Sequence, residues 1–140
     1  MTTAIIYVFV FLFGSLVGSF LNVCIYRLPR GESIVFPASH CPGCRRPIPW
    51  YLNIPFVSYL MLRGRCAYCK AKISFRYFAV EGLTALMFVA IYWRYKASPD
   101  LVIYAALFSV LIIISFIDIE HWIIPDELTI PGAVAGLLLS

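Results

Sequence analysis

"AIIYVFVFLFGSLVGSFLNVCIY", Ala4 to Tyr26, runs for 23 residues without a charge. At 1.5 Å rise per residue a helix of this length crosses a hydrocarbon core of about 30 Å, so this stretch decides the fold class as membrane-spanning. A secretory signal peptide is the competing reading. It fits poorly, because "MTTA" has no basic start, the apolar run is too long, and "RLPR" follows where small residues would mark a cleavage site. Gly14, Ser15, Gly18 and Ser19 recur at small-xxx-small spacing, which predicts close packing against another helix and no chemistry for the serines. Cys24 reads as a small buried hydrophobe.

The rest of the chain agrees. Hydrophobic residues make up 62% and charged residues 13%, which excludes an ordinary soluble domain. A second apolar segment runs from Tyr77 to Tyr95, interrupted near its start by Glu81, and a third from Leu101 to Ile117 has 17 uncharged residues. The short "KASPD" between them predicts a helical hairpin, with Pro99 at or just before the start of the third helix. A fourth run, Leu128 to Ser140, has 13 residues. It reaches about 20 Å and reads as a helix entered but not completed. The predicted fold is an all-α polytopic membrane protein with a small cytoplasmic zinc-ribbon-like loop domain. Its parts are a first transmembrane helix over 1–26, the loop domain over 27–76, and helices two, three and the start of four over 77–140.

Orientation follows from charge. Nine of the 11 basic residues, from Arg27 to Arg76, lie in the loop between the first two helices, where only Glu32 opposes them. The positive-inside rule places this loop in the cytoplasm and the amino terminus outside; Arg94 and Lys96 argue weakly the other way. No nucleic-acid-binding signature accompanies the basic run, and membrane lipids with anionic headgroups are the expected partner.

The loop holds "CPGC" (Cys41, Cys44) and "CAYC" (Cys66, Cys69), with 21 residues between the pairs. Two such knuckles supply four thiolates at the radius of about 2.3 Å that tetrahedral zinc requires. Disulfides suit a reducing cytoplasm badly, and a thioredoxin-like site needs a single motif in a βαβ frame. A closed four-cysteine site is structural, and the metal stands in for a core that some 50 residues of loop cannot build. Pro37, Pro42, Pro47, Pro49 and Pro55 exclude long helices there, leaving short ribbon strands and turns. His40 reads as a surface residue, and Trp50, Tyr51 and Phe56 mark a segment returning to the membrane interface.

"SFIDIEHWIIPDELTIPG", Ser115 to Gly132, closes the third apolar run with Asp118, Glu120, His121, Asp126 and Glu127. A solvated turn is the plain reading. Against it, the stretch is largely apolar, and ionisable groups at a membrane helix end are costly and usually functional. Asp118 falls at a helix end where partial desolvation is expected to raise its pKa, and Pro125 starts a new helix at Asp126. Carboxylates that hydrolyse an amide work in pairs, one as base and one as acid. On an unbroken helix Asp118 and Asp126 would stand about 12 Å apart, too far to share a proton, so a second carboxylate must come from elsewhere.

These residues resemble the type IV prepilin peptidases, polytopic membrane enzymes that process the prepilins of type IV pili and the pseudopilins of type II secretion. "GSFLNVCIYRLPRGES", the paired "CPGC" and "CAYC", "RYFAVEGLT" and "FIDIEHWIIPDELT" are each similar to stretches of that family. The resemblance implies a multifunctional enzyme of the bacterial inner membrane. It would be an aspartic endopeptidase cleaving a basic leader at the cytoplasmic face and a methyltransferase modifying the new amino terminus with S-adenosylmethionine. It maps the first catalytic aspartate to Asp118, with Asp126 at the recurrent Pro-Asp and Glu120 beside them as supporting or alternative candidates. The family's second catalytic aspartate lies in a Gly-x-Gly-Asp motif that these 140 residues lack, so the chain reads as an amino-terminal half, inactive alone. Two other classes stay open. One is a non-enzymatic zinc-containing membrane adaptor; the other is a metal-dependent membrane enzyme using Asp118, Glu120, His121 and Asp126 as hard-cation ligands.

Overall fold

The computed structural model describes all residues 1–140. Five helices follow in order: α1 (Thr2–Arg27), α2 (Val57–Met61), α3 (Phe75–Tyr95), α4 (Pro99–His121) and α5 (Asp126–Leu139). Single 3-10 turns lie at Leu28–Arg30 and Trp50–Leu52. α1, α3 and α4 are each long and apolar enough to cross a membrane, as a multi-pass protein requires.

The helix ends have local causes. Ser74 caps α3, its hydroxyl accepting from the Arg76 amide at 3.2 Å. Pro99 occupies the first turn of α4, where its missing N–H costs nothing. At the other end Trp122, in the left-handed region at φ 56°, stops α4 and returns its amide to the Asp118 carbonyl at 2.8 Å. Pro125 then precedes α5, whose first turn carries Asp126 and Glu127, the charge sign that a helix amino terminus favours.

α1 and α3 pack antiparallel along the small-residue stripe. A Cβ added at Gly14 would lie 2.9 Å from the Ala85 Cα, and one at Gly18 would lie 2.8 Å from the Glu81 Cα. Backbone atoms cannot swing aside, so only glycine permits this approach. Gly18→Leu is therefore expected to separate α1 from α3 at a cost of about 1–3 kcal/mol, read as a lower thermal midpoint in detergent.

The buried core lies toward one end of the bundle. Leu21, Cys24 and Ile25 of α1 meet Val80 of α3 and Ile112, Ile113 and Ile117 of α4. Cys24 is buried there, as a small hydrophobe should be. Asn22, also buried, donates its amide to the Tyr77 carbonyl at 3.0 Å and so ties α1 to the start of α3. Phe9, Phe13, Leu16, Val102 and Leu111 point outward and exposed, as side chains facing lipid do. At the opposite end Lys96 donates to the Tyr7 hydroxyl at 3.0 Å, and Tyr95 stacks on Tyr104. α5 buries none of its residues, and Leu128 alone leans on the core.

Residues 28–74 are mostly turns. The expected ribbon strands reduce to two isolated antiparallel bridges, His40–Pro47 and Arg65–Lys72, because each knuckle is too short to extend its ladder.

Candidate functional site

The two cysteine knuckles are built alike. The Arg45 amide returns to the Cys41 carbonyl at 2.8 Å, and the Lys70 amide to the Cys66 carbonyl at 3.2 Å. Arg45 and Lys70, each one residue past its second cysteine, adopt positive φ of 57° and 60° to close the turn. Cys41 and Cys66 then donate their own amides to Arg46 and Ala71, sealing each hairpin. Inside the turns the Gly43 and Tyr68 amides point at the Cys41 and Cys66 sulfurs, at 3.4 and 3.5 Å.

Two cysteine pairs with 21 residues between them thus converge. The four Sγ atoms lie within 4.8 Å of one another, Cys41 to Cys69 at 3.7 Å and Cys44 to Cys66 at 4.0 Å. Bonds of about 2.3 Å to a tetrahedral ion set sulfurs roughly 3.8 Å apart, so the cluster fits zinc; a disulfide needs about 2.05 Å. With no ion bound, the amides of Cys69 and Tyr68 hold the Cys66 thiol down from 9.0 to about 6. A thiolate at this position near neutral pH is the form a metal binds.

Two contacts fasten the loop to the bundle, and neither was legible in the sequence. Arg27, counted there only as a positive charge, is buried at the end of α1. Its guanidinium donates to the carbonyls of Ser33 and Pro37 at 2.9 and 2.7 Å. Phe56, just before α2, sends its ring into the bundle, stacked on Phe11 of α1 and edge-on to Phe78 of α3. Its amide donates to Glu81 Oε2 at 3.1 Å, so the carboxylate that interrupts the second apolar run holds the loop. Of the aromatics expected to return to the membrane, Phe56 does so within the bundle, while Trp50 and Tyr51 stay exposed.

The acidic residues sit at this same end. Glu120, in the last turn of α4, accepts both of its contacts from Arg76 Nη1, and Arg76 lies at the start of α3. This pair commits the Glu120 carboxylate and ties α4 to the end of the cysteine loop. His121 Nε2 lies 3.9 Å from Glu120. Asp118, Asp126 and Glu127 are exposed. No packing within the protein covers Asp118. Nor are Asp118, Glu120, His121 and Asp126 gathered as metal ligands. The cysteines form the one such cluster of His, Cys, Asp and Glu side chains.

Residues 12–95, which hold most of α1, the cysteine loop and α3, match the family model for the bacterial peptidase A24 N-terminal domain. The chain belongs to the A24 peptidase family. Residues 105–140, with Asp118 and Asp126, match the model for the type IV leader peptidase family. Three similar proteins carry the name prepilin leader peptidase/N-methyltransferase. One from Myxococcus xanthus is 48% identical over 133 residues, covering 95% of this chain and 40% of the relative. One from Neisseria gonorrhoeae is 42% identical, covering 91% and 53%. One from Klebsiella pneumoniae is 41% identical, covering 94% and 60%. This A24 peptidase chain thus spans about half the length of the curated relatives it matches. No solved structure matches it.

Between the cysteine loop and the helices of this A24 peptidase chain lies a cavity of about 440 Å³. Ser19 and Tyr26 of α1, Phe56 and Tyr59 of the loop, and Arg76 and Glu81 of α3 contribute to its wall. Its volume suits a small-molecule ligand, for which sites commonly range from about 300 to 1,000 Å³.

Proposed function

We propose that this chain carries the first catalytic aspartate, the metal-bound loop and the substrate-facing end of a bacterial inner-membrane endopeptidase. The enzyme removes the basic leader of type IV prepilins or pseudopilins at the cytoplasmic face and then methylates the new amino terminus. The observation that carries the reading is Asp118, exposed in the last turn of α4 at the same end of the bundle as the cysteine loop, in a segment matching the type IV leader peptidases.

In this reading Asp118 takes the proton of the attacking water, and a second carboxylate, not supplied by these residues, protonates the leaving amine. No protein packing covers Asp118, and in this reading water reaches it from the cytoplasmic side. Glu120, held by Arg76, orients the end of α4. Asp126 and Glu127 open α5 beside it and attract a basic leader, an attraction screened by salt. The apolar helix of the substrate has lipid-facing surface to lie along.

Zinc at Cys41, Cys44, Cys66 and Cys69 is structural: all four positions of a tetrahedral ion are taken by sulfur. S-adenosylmethionine supplies an activated methyl group when bound. The chain's part is to hold that cation close to the peptide terminus and away from bulk water.

Two measurements test the reading. The complete enzyme, given a synthetic prepilin, is expected to release the leader and leave a methylated terminus, seen by mass spectrometry; an intact substrate would sink it. Orientation is read by labelling single cysteines in intact cells. A membrane-impermeant reagent is expected to reach Ser98→Cys and miss Ser33→Cys, since nine basic residues hold the loop inside. The reverse pattern would put Asp118 on the wrong side for cytoplasmic leader cleavage.

A further inference from the structure

Within the loop, Pro47 to Leu62 ("PIPWYLNIPFVSYLML") is a run of 16 uncharged residues, bordered by Arg45 and Arg46 before it and by Arg63 and Arg65 after it. Its middle does not stay at the end of the bundle. The Phe56 amide meets Glu81, and the Glu81 backbone lies against Gly18 of α1. Gly18 stands nine residues from Arg27, about 14 Å along α1 at 1.5 Å per residue, and Glu81 stands five residues past Arg76, about 8 Å along α3. The Phe56 ring lies against Gly82 and stacks on Phe11, further still from Arg27. Half of a hydrocarbon core is only about 15 Å, so this turn reaches well inside one leaflet.

Backbone at that depth has no water to bond, and the turn supplies its own partners. Pro55 has no N–H. Phe56 donates to Glu81 Oε2 at 3.1 Å, Val57 to the Pro55 carbonyl at 2.6 Å and Ser58 to the Ile54 carbonyl at 3.2 Å. Phe56 holds φ 60° and ψ -51° to make the reversal, a conformation that a bulky residue adopts only when its surroundings impose it. A carboxylate inside an apolar helix is costly, and here it accepts the one N–H of the turn that the segment itself leaves unbonded. The cysteine cluster closes the base: Cys44 and Cys66, on either side of the run, hold their sulfurs 4.0 Å apart.

The outward side of the turn is apolar. Trp50, Leu60 and Met61 are 81%, 65% and 75% exposed, and Val57 is half exposed. Phe75, exposed at the start of α3, stands edge-on to Tyr59, so this side continues the surface of a membrane-spanning helix. Such a patch marks a surface that something apolar covers, and the arginine pairs at both ends of the run match anionic lipid headgroups.

We propose that residues 49–62 are a re-entrant membrane element. The chain enters the leaflet on the loop's side at Trp50, turns at Phe56 on the Glu81 carboxylate, and returns through α2, with lipid acyl chains covering Trp50, Val57, Leu60 and Met61. The cysteine knuckles stay in water and clamp the two ends together.

The experiment is fluorescence quenching of the zinc-loaded full chain in lipid nanodiscs. Trp93→Phe and Trp122→Phe leave Trp50 as the single indole; adding Trp50→Phe and Val57→Trp moves it to the turn. Phospholipids brominated along the acyl chain are expected to quench the indole at position 57 at least about threefold more strongly than aqueous iodide, which hydrocarbon excludes. Bromines near the headgroup should reach Trp50 best, and deeper ones position 57. A single indole from Tyr68→Trp, in the second knuckle, should prefer iodide. Iodide quenching as strong at position 57 as at 68 overturns the proposal, because the turn is then in water. Protection from both quenchers, in this chain or in the complete enzyme, overturns it too, because a second copy or another helix then covers the face. Should Val57→Trp lose its zinc, Leu60→Trp carries the same reading. Glu81→Ala strands the Phe56 amide in lipid and is expected to raise iodide quenching at position 57 about threefold, whereas Glu81→Gln keeps an acceptor and should leave it unchanged. A Glu81→Ala chain that matches wild type would overturn the seat given to the turn.

Discussion

Asp118→Asn in the complete enzyme is expected to lower leader cleavage by at least 10²- to 10⁴-fold, the usual contribution of a general base. The amide keeps the side chain's shape and can still hydrogen-bond water, but it cannot take up the proton. The exposed position of Asp118 makes this a clean test, since no packing depends on it and the variant should retain its helices and zinc. Prepilin binding should change little, which separates loss of chemistry from loss of substrate. Asp126→Asn is expected to be milder, because in the first turn of α5 its charge acts on the helix dipole and the leader, for which about 1 kcal/mol is typical. The 140 residues alone should bind zinc yet leave prepilin uncut, since a single catalytic carboxylate cannot serve as both acid and base. An Asp118→Asn enzyme with normal cleavage would place the chemistry elsewhere and leave Asp118 a solvated turn residue.

The second large effect is on the cysteine loop. Residues 28–74 contain one five-residue helix, two 3-10 turns and two isolated bridges, so little besides the metal and the Arg27 and Phe56 anchors orders them. Apparent binding energies of structural zinc reach about 10–16 kcal/mol, more than such a loop can gather from its own packing. Cys41→Ser or Cys66→Ser is therefore expected to abolish stoichiometric zinc, about one per chain in the wild type, and to open the loop to protease while α1, α3 and α4 stay inserted. Metal analysis that finds no zinc in wild-type chain would remove the premise. Acid should act in the same direction. The neighbouring thiols shift in opposite directions, Cys66 down to about 6 and Cys69 up to about 11, so it is the metal and not either thiol alone that sets the direction with pH. Protonation competes directly with the metal, so zinc release is expected on acidification and not on raising the pH.

Much of this was legible along the chain because membrane and metal constraints are local. An uncharged run of 23 residues has few folds open to it when lipid supplies no hydrogen bonds. Helix bounds could be read to within a few residues at Pro99 and Pro125, since proline acts on its own turn. Paired C-x-x-C knuckles announced a four-sulfur site because each makes half of it by itself. The glycine stripe of α1 likewise announced a close helix contact, though not that α3 would fill it.

What tertiary structure alone decided are the pairings between distant segments. Glu81 looked like an interruption in an apolar run. Only folding brings the Phe56 amide down to it and sets its carboxylate in the wall of a cavity. Glu120 stood beside Asp118 as a supporting or alternative candidate, and only the fold brings Arg76, 44 residues away, to hold it. Arg27 counted as one charge among nine, yet it is buried and organises the start of the loop. The physical reason is common to all three. Periodicity, capping and ligand spacing act within a few residues, so sequence carries them directly. Whether a carboxylate is paired, exposed or left without a counter-ion depends on which remote donor arrives within about 3 Å, and that is settled by packing.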